Sequence, residues 1–378
     1  MTEIYLIRHA QAEGNLYKML MGQWDGDIAI KGLEQSEALG RRMSGTHLDV
    51  IYSSDLHRAY TTALAINKNG SVPIIRVEEL REISTGRWTG DYYGNFTYEY
   101  PESAKLFAAF SGKWKMDGAE TFWDVQDRAW SFMNRVAVEN EGKSIAVVTH
   151  RIFVRCFLTK VCNVPFEDME TVPFYDNTGI TRLTFEDGKF TIDYMNDHAH
   201  IDHIVTPSWL KTHNLRDAAF TEEDGDYYAT CCRDTEVNFA DSSEGGFPAG
   251  SAVQREREHP GSVRRLFDGD KSAGLIDLDT QRGSEEGIGW INFFYLDEAF
   301  RGNGYGIQVL GRAVLTYLSL GRTRLRLSVD EKNAMALKFL RRYGFESIEA
   351  GDGRFLMERH IAMHINYSLY YGKSTEEG

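Results

Sequence analysis

Cysteine is scarce. Cys156, Cys162, Cys231 and Cys232 are the only 4 in 378 residues, too few and too unevenly placed for a disulfide scaffold. No pair has the CxxC spacing of a structural zinc site, so a reducing compartment is the expected setting. Long apolar runs are missing too. No segment approaches the roughly 20 apolar residues that would span a bilayer. The opening from Met1 to Ala10 has no basic stretch ahead of its short apolar run, so it reads as a first strand and not as a signal peptide. Positive charge is under-represented: 42 Lys and Arg stand against 56 Asp and Glu, a net −14. That balance speaks against a broad grip on nucleic acid or anionic lipid, yet it leaves room for a local basic pocket that takes a small anion. The expectation is a cytoplasmic protein with no nucleic-acid partner, no membrane partner and no metal.

What is present is the composition of a soluble globular chain, 42% hydrophobic and 26% charged. At roughly 100 to 200 residues per domain the length predicts two domains. From Met1 to about His203, β-rich runs alternate with amphipathic stretches, the pattern of an α/β domain with a mostly parallel sheet. Strands are expected at Ile4 to Ile7, Val50 to Tyr52, Ile74 to Val77 and Ile145 to Val148. Helices are expected at Gly32 to Met43, Arg58 to Asn67, Thr121 to Val138 and Ile152 to Val161. Thr181 to Phe185 and Phe190 to Tyr194, joined through Asp187-Gly188, read as a closing hairpin. Asp202 to Asn214, with Pro207, is the expected linker. Beyond it a helix at about Tyr227 to Phe239 leads into a Gly- and Ser-rich loop, Asp241 to Gly250. Antiparallel strands are expected at Val263 to Phe267, Gly274 to Leu278 and Ile288 to Leu296, then helices at Gly306 to Leu320 and Asn333 to Tyr343 around a strand at Leu325 to Val329. No internal repeat is visible, so the two halves are expected to be different folds.

Arg8-His9 falls at the end of the first expected strand, His150 at the end of the Ile145 strand, and Arg58 just after the Val50 strand. Ligands of parallel α/β sheets gather at the carboxyl ends of strands, so these distant residues can meet in one pocket. Two cations and two imidazoles there make an anion site. An arginine fork suits phosphate oxygens, and a neutral histidine can attack phosphorus.

These residues carry a family resemblance. Leu6-Ile7-Arg8-His9-Ala10-Gln11-Ala12-Glu13-Gly14-Asn15 resembles the RHG opening of the histidine phosphatase superfamily, which includes the cofactor-dependent phosphoglycerate mutases. Ser53-Ser54-Asp55-Leu56-His57-Arg58-Ala59, Leu80-Arg81-Glu82-Ile83 with Gly86-Arg87-Trp88-Thr89-Gly90, and Val147-Val148-Thr149-His150 resemble further motifs of that family. Asn196-Asp197-His198-Ala199-His200 resembles its closing motif. Five ordered segments over about 200 residues are a specific signal, whereas Arg-His alone is a common dipeptide. The resemblance implies that His9 is the nucleophile, that Arg8, Arg58 and His150 hold the phosphoryl oxygens, and that Glu82 is the acid and base. It also places Asn15 near the pocket mouth as a further donor. A carboxyl beside a dianionic phosphate keeps its proton more readily, which suits that role.

The chain departs from the family at Ala10, Gln11, Ala12, Asp27 and Ala29, and at Arg151, where glycine is common after the second histidine. His47, His57 and His198 read as surface or core histidines. The stretch Gly90 to Gly118 is aromatic and lacks the basic insert with which mutases grip a second phosphate. That favours a phosphatase and hints at a ring-bearing substrate, although the same aromatics could form a capping core.

A second constellation follows the strand Ile288 to Leu296. Arg301-Gly302-Asn303-Gly304-Tyr305-Gly306 opens a helix, and glycines at such a place let backbone N–H groups approach a pyrophosphate. The spacing fits neither a dinucleotide fingerprint nor a Walker loop. It resembles motif A of the GNAT N-acetyltransferases through Arg301, Gly304 and Gly306. Val329-Asp330-Glu331-Lys332-Asn333-Ala334 and Tyr343-Gly344-Phe345 resemble that family's later segment. The resemblance implies acetyl-CoA as cofactor, bound through Leu296, Arg301, Gly302, Asn303, Gly304, Tyr305, Gly306 and Asn333. The position where many members have an acidic tyrosine holds Leu340; Tyr343 or Tyr305 could substitute, and Glu285, Glu286 or a water relay could serve as base.

The fold expected is therefore a three-layer α/β/α, phosphoglycerate mutase-like domain at 1–205. An α+β GNAT acyltransferase domain with a mixed, mainly antiparallel sheet is expected at 206–378. The expected function is phosphomonoester hydrolysis through phosphohistidine joined to acetyl transfer onto an amine, with a small phosphorylated metabolite and a small amine as partners. Three alternatives stand beside it: a degenerate phosphatase that only binds phosphate, a phosphatase with a CoA-sensing C-terminal domain, and a phosphomutase. A homodimer is left open.

Overall fold

The computed structural model describes residues 1–67, 70–173, 175–204, 214–235 and 249–362. Most of the expected linker, the 205/206 boundary, the end of the Tyr227 to Phe239 helix and most of the Asp241 to Gly250 loop lie outside the described residues.

The N-terminal part runs β1 (Thr2–Arg8), α1 (Glu13–Leu16), β2 (Met19–Leu20), α2 (Ile30–Met43), β3 (Val50–Ser54), α3 (His57–Ile66), β4 (Ile74–Val77), β5 (Asp91–Tyr92), α4 (Tyr93–Glu99) and α5 (Pro101–Ala108). Then come α6 (Phe122–Glu139), β6 (Ser144–Thr149), α7 (Arg151–Val161), β7 (Ile180–Glu186) and β8 (Lys189–Asp197). Six strands form one sheet in the order β4-β3-β6-β1-β7-β8. The first four are parallel, and β7 and β8 close the sheet as an antiparallel hairpin. Asp187 and Gly188 both have positive φ in its tight turn, the backbone that a two-residue hairpin needs.

Side chains of β1 alternate between two cores. Ile4 and Leu6 pack with Phe132 and Met133 of α6 and Phe153 and Phe157 of α7. Tyr5 and Ile7 pack with Leu39 and Met43 of α2 and Ala59 and Ala63 of α3. A strand covered on both faces reads as a nearly continuous apolar run, and the result is three layers. The aromatic stretch folds mainly on itself: Trp88, Phe96, Phe107, Trp114 and Phe122 form a third cluster over one end of the sheet. Helix α6 starts at a capping box in which Thr121 and Asp124 satisfy each other's backbone N–H.

The C-terminal part runs β9 (Arg216–Ala219), α8 (Gly225–Asp234), α9 (Ala249–Glu258), β10 (Val263–Asp268), β11 (Lys271–Asp279), β12 (Ile288–Leu296), α10 (Tyr305–Ser319), β13 (Arg324–Asp330), α11 (Ala334–Arg342), β14 (Glu346–Gly351) and β15 (Arg354–His360). Its seven strands are ordered β14-β15-β13-β12-β11-β10-β9, and only the β12–β13 pair is parallel. The short strand β9, the helix α9 and the β14–β15 hairpin were not foreseen from the sequence, nor were α4 and α5. In β14 every residue is exposed, so no apolar periodicity announces it.

The two halves share one core. Ala12, Tyr17, Met19, Met21 and Tyr92 belong to the same buried cluster as Ile307, Leu310, Ala313 and Tyr317 of α10. Tyr17 donates to Glu13 at 2.8 Å, and Arg359 of β15 pairs with Glu13. Asn95 of α4 and Asp217 of β9 exchange two hydrogen bonds of 3.0 Å. Arg312 of α10 donates to the Leu215 carbonyl and lies over the Tyr92 ring, 4.1 Å from its centroid.

Candidate active sites

Because β1, β3 and β6 are parallel and in register, with Arg8 beside Thr149 and Ser53 beside Val148, their carboxyl ends open on the same side. A cleft of about 750 Å³ lies there, and Arg8, His9, Asn15, Arg58 and Glu82 all line it. The structure thus brings together five of the six residues singled out for phosphate chemistry. His150 is fully buried behind them, its ring centroid 5.0 Å from that of His9.

The hydrogen-bond network sets the tautomers. His9 Nδ1 is 2.7 Å from the Ala10 carbonyl, an acceptor only, so Nδ1 carries the proton and Nε2 keeps a lone pair. Asn177 donates to the His9 carbonyl at 2.9 Å and fixes the backbone there. His150 Nε2 is 2.9 Å from Ser54 Oγ, and that hydroxyl oxygen already accepts from the Leu56 N–H. When the Ser54 hydroxyl gives its proton to Nε2, the His150 ring carries its own proton on Nδ1 and has Nδ1–H as a donor. Among the described residues this buried Nδ1 has no partner, as befits a group kept for a ligand. Burial, with Arg58 and Arg8 close by, holds the His9 pKa well below its ordinary value. Burial followed by Arg58 does the same to His150, so both rings are neutral at neutral pH.

Arg58 is wholly buried on α3 and spends two donors on the Trp24 and Gly22 carbonyls, each at 2.8 Å. A guanidinium has five N–H donors, so others remain for phosphoryl oxygens. Arg8 is held by the Tyr175 carbonyl. Burial lowers both arginines to about 10, which still leaves them cationic. Glu82 sits at the start of α7 and accepts from the Ile152 and Ile83 N–H groups, each at 3.1 Å. Its burial raises the carboxyl above the usual range, against the opposing pull of the Ile83 hydrogen bond and Arg58. Asn15 accepts the Ala12 N–H at 2.9 Å.

Sequence reasoning missed part of this cleft. Lys18, Tyr93, Arg151, Asp176, Asn177 and His198 line it as well. Arg151 was visible only as a departure from the family pattern, and His198 was read as a surface or core residue. Tyr93 and Asn177 carried no signal. His57, by contrast, is 3.1 Å from Asp27 and largely covered, and His47 is exposed beside Asp49.

In the C-terminal part, β12 and β13 pair only over Ile288–Trp290 and Arg324–Arg326. Past that point the strands part, and β12 continues to Leu296 at the mouth of the gap. Arg301 then donates to the Leu296 carbonyl at 2.8 Å. Gly302 and Gly304 have φ of 76 and 83, and Gly304 is the N-cap of the 15-residue α10. The first N–H groups of a helix have no partner within it and attract anions. A Cβ at Gly302 would meet nothing within 4 Å, so the loop backbone is open to a pyrophosphate. The residues fit acetyl-CoA in that respect.

Three of the residues expected to hold the cofactor also pack or bond within the domain. Tyr305 is buried and donates to Asp268 at 2.6 Å. Gly306 faces Phe339, where a Cβ would stand 2.9 Å from the ring. Asn333 caps α11, accepting the Ala336 N–H at 3.0 Å. Leu340 is in the core, Tyr343 is half-buried against Phe339, and Glu285 and Glu286 are exposed in the turn before β12.

A model of the histidine phosphatase superfamily (branch 1) matches residues 4–198. The chain belongs to the histidine phosphatase superfamily. A model of the acetyltransferase (GNAT) family matches residues 209–345, so the histidine phosphatase domain is fused to a GNAT domain. Phosphoserine phosphatase 1 of Hydrogenobacter thermophilus is 28% identical over 201 residues, 53% of this chain and 95% of that protein. The metal-independent phosphoserine phosphatase of Arabidopsis thaliana is 28% identical over 206 residues, 54% of this chain and 84% of that protein. Among solved structures, YhfR of Bacillus stearothermophilus is similar with a TM-score of 0.52 and 27% identity, over 53% of this chain and 100% of that one. Among the described residues no group of three or more His, Cys, Asp and Glu could hold a metal ion, and no helix is long and apolar enough to cross a membrane.

Proposed function

We propose that the N-terminal domain, 1–205, hydrolyses phosphomonoesters through a phosphohistidine, and that the C-terminal domain, 206–378, transfers acetyl from acetyl-CoA to a small amine in the cytoplasm. The observation that carries the first half is the His9 ring, with Nδ1 tied to the Ala10 carbonyl and Nε2 free on a cleft shared with two arginines and a carboxyl of raised pKa.

His9 Nε2 attacks phosphorus; the P–N bond forms as the ester P–O bond breaks. The protonated Glu82 gives its proton to the leaving oxygen. Water then attacks phosphorus, loses a proton to Glu82, and the P–N bond breaks to release phosphate. Arg8, Arg58, Asn15 and the His150 Nδ1–H hold the equatorial oxygens, where charge is greatest in the transition state. The named relatives include phosphoserine phosphatases, which points to a small phosphorylated metabolite as substrate.

The test is incubation of the intact protein with a phosphate ester, followed by acid-free mass spectrometry for phosphohistidine at position 9. An adduct in the wild type that His9→Asn abolishes together with hydrolysis supports the reading. Hydrolysis that survives in His9→Asn sinks it.

For the second half, backbone N–H groups of 302–304 would take the pyrophosphate and the edge of β12 up to Leu296 the pantetheine. When bound, acetyl-CoA supplies an activated acyl group for direct attack by an amine. Calorimetry with acetyl-CoA tests this, and absence of binding at millimolar ligand rejects it. Binding without acetylation of any amine in a broad panel favours a sensing domain, the reading that the buried Leu340 prompts.

A further inference from the structure

Four cationic side chains line the cleft beside the acidic Glu82, Asp176 and Asp202, in a chain whose net charge is −14. Beside Arg8 and Arg58, the cleft is lined by Arg151 at the start of α7 and by Lys18 just after α1. Arg151 is close enough to Arg8 and Glu82 for its charge to act on both, so it borders the phosphoryl position. Its guanidinium lies 5.6 Å from the centre of the Phe110 ring, and Phe110 also carries Arg155 at 4.3 Å. Lys18 is only partly exposed, and among the described residues its ammonium has neither an ion pair nor a hydrogen bond. Half-burying an unpaired ammonium costs free energy that folding alone does not recover.

Backbone strain falls in the same place. Lys18 and Phe110, both on the cleft wall, hold left-handed φ of 58 and 52. That conformation costs an ordinary side chain on the order of 1 kcal/mol, and such costs collect at ligand clamps. Arginine and lysine placed beyond a phosphoryl site suit a second anion on the same molecule.

We propose that Arg151 and Lys18 form a second anion subsite, so that the preferred substrates are phosphate monoesters whose alcohol portion carries another anionic group, a carboxylate or a second phosphate. The proposal rests on the reading of the cleft as a phosphatase site. Arg151 and Lys18 decide which ester is chosen, while His9 and Glu82 act on any ester seated there.

The experiment measures kcat/KM of the intact protein for four esters: 4-nitrophenyl phosphate, O-phospho-L-serine, 3-phosphoglycerate and fructose 1,6-bisphosphate. Arg151→Met and Lys18→Met remove charge while keeping length, and Lys18→Met leaves the backbone cost at that position as it is. The quantity read is the ratio of kcat/KM for each anionic ester to that for the nitrophenyl ester, which does not depend on how much protein is folded. The ratio is expected to fall at least tenfold in each variant and further in the double variant. The two carboxylates and the bisphosphate separate the two kinds of second anion. Unchanged ratios overturn the proposal, as does a wild type that prefers the nitrophenyl ester over all three others. Failure of the phosphatase reading shows differently, as hydrolysis that persists in His9→Asn or as no hydrolysis of any ester by the wild type, and it overturns both.

Discussion

The phenol ring of Tyr17 lies across the backbone of Gly311 so closely that a Cβ there would stand 2.4 Å from Tyr17 Cγ. Tyr17 follows α1, which carries Asn15 into the phosphatase cleft, and Gly311 belongs to α10, which begins at the glycine loop of the GNAT domain. Gly311→Ala is therefore expected to push the two domains apart locally. Overpacking of this kind typically costs about 1–3 kcal/mol, read as a shift of the urea midpoint. A variant as stable as the wild type would show that Tyr17 is not held where the structure puts it.

The Glu13–Arg359 pair joins α1 to β15, and each side chain is at most 14% exposed. Arg359→Met strands a buried carboxylate, at a cost of about 3–5 kcal/mol. Glu13→Gln in the same chain removes that charge and is expected to restore most of the loss. A double-mutant cycle by chemical denaturation checks this, and strict additivity would count against the pair.

Glu82→Gln cannot give a proton to a leaving oxygen. Loss of a general acid typically costs 10²–10⁴-fold in rate, and that loss is expected for alkyl phosphates. It should be much smaller for 4-nitrophenyl phosphate, whose leaving anion is stable unaided. Equal losses on both substrates would assign Glu82 to holding the fold and not to proton transfer.

The pH profile follows from two opposite shifts. His9 attacks only when neutral, so activity rises with pH through its pKa, which burial, Arg58 and Arg8 hold well below the ordinary value. Glu82 donates only when protonated, so activity falls as pH passes its pKa, which burial raises. A bell is expected for kcat/KM, its acid limb set by His9 and its alkaline limb by Glu82. Its alkaline limb should disappear in Glu82→Gln, measured on the same ester.

Gly304→Val places a β-branched residue at φ 83 on the cap of α10, where only glycine is at ease. Acetyl-CoA binding is expected to weaken at least tenfold by calorimetry. Hydrolysis of 4-nitrophenyl phosphate by the same protein is expected to stay within about twofold, because Gly304 is not among the residues that line the phosphatase cleft.

The sequence disclosed the parts of this molecule whose chemistry and period are local. β1 could be read because four apolar side chains in a row precede Arg8-His9, and the candidates Arg8, His9, Arg58 and His150 because each lies where a strand closes or a helix opens, whereas Glu82 stands in a loop and was reached only through the family motif. Lys18, Tyr93 and Asn177 could not, since they reach the cleft from short turns and a small helix that no periodicity marks. The shared core was equally hidden. Tyr17, Met19 and Met21 look like ordinary apolar residues of one domain until α10 is seen against them. Gly306 and Asn333 carry a second demand that the motif does not show: Gly306 leaves room for the Phe339 ring, and Asn333 caps the start of α11.

One consequence of the common core concerns the order of events during synthesis. Tyr17, Met19 and Met21 leave the ribosome early, but the helix that covers them arrives about 290 residues later, a wait of roughly 15 to 60 s at ordinary translation rates. Through that interval the nascent first domain presents an apolar face that is buried only when the last third of the chain emerges, which makes it a natural client for chaperones and makes its maturation a single, late step.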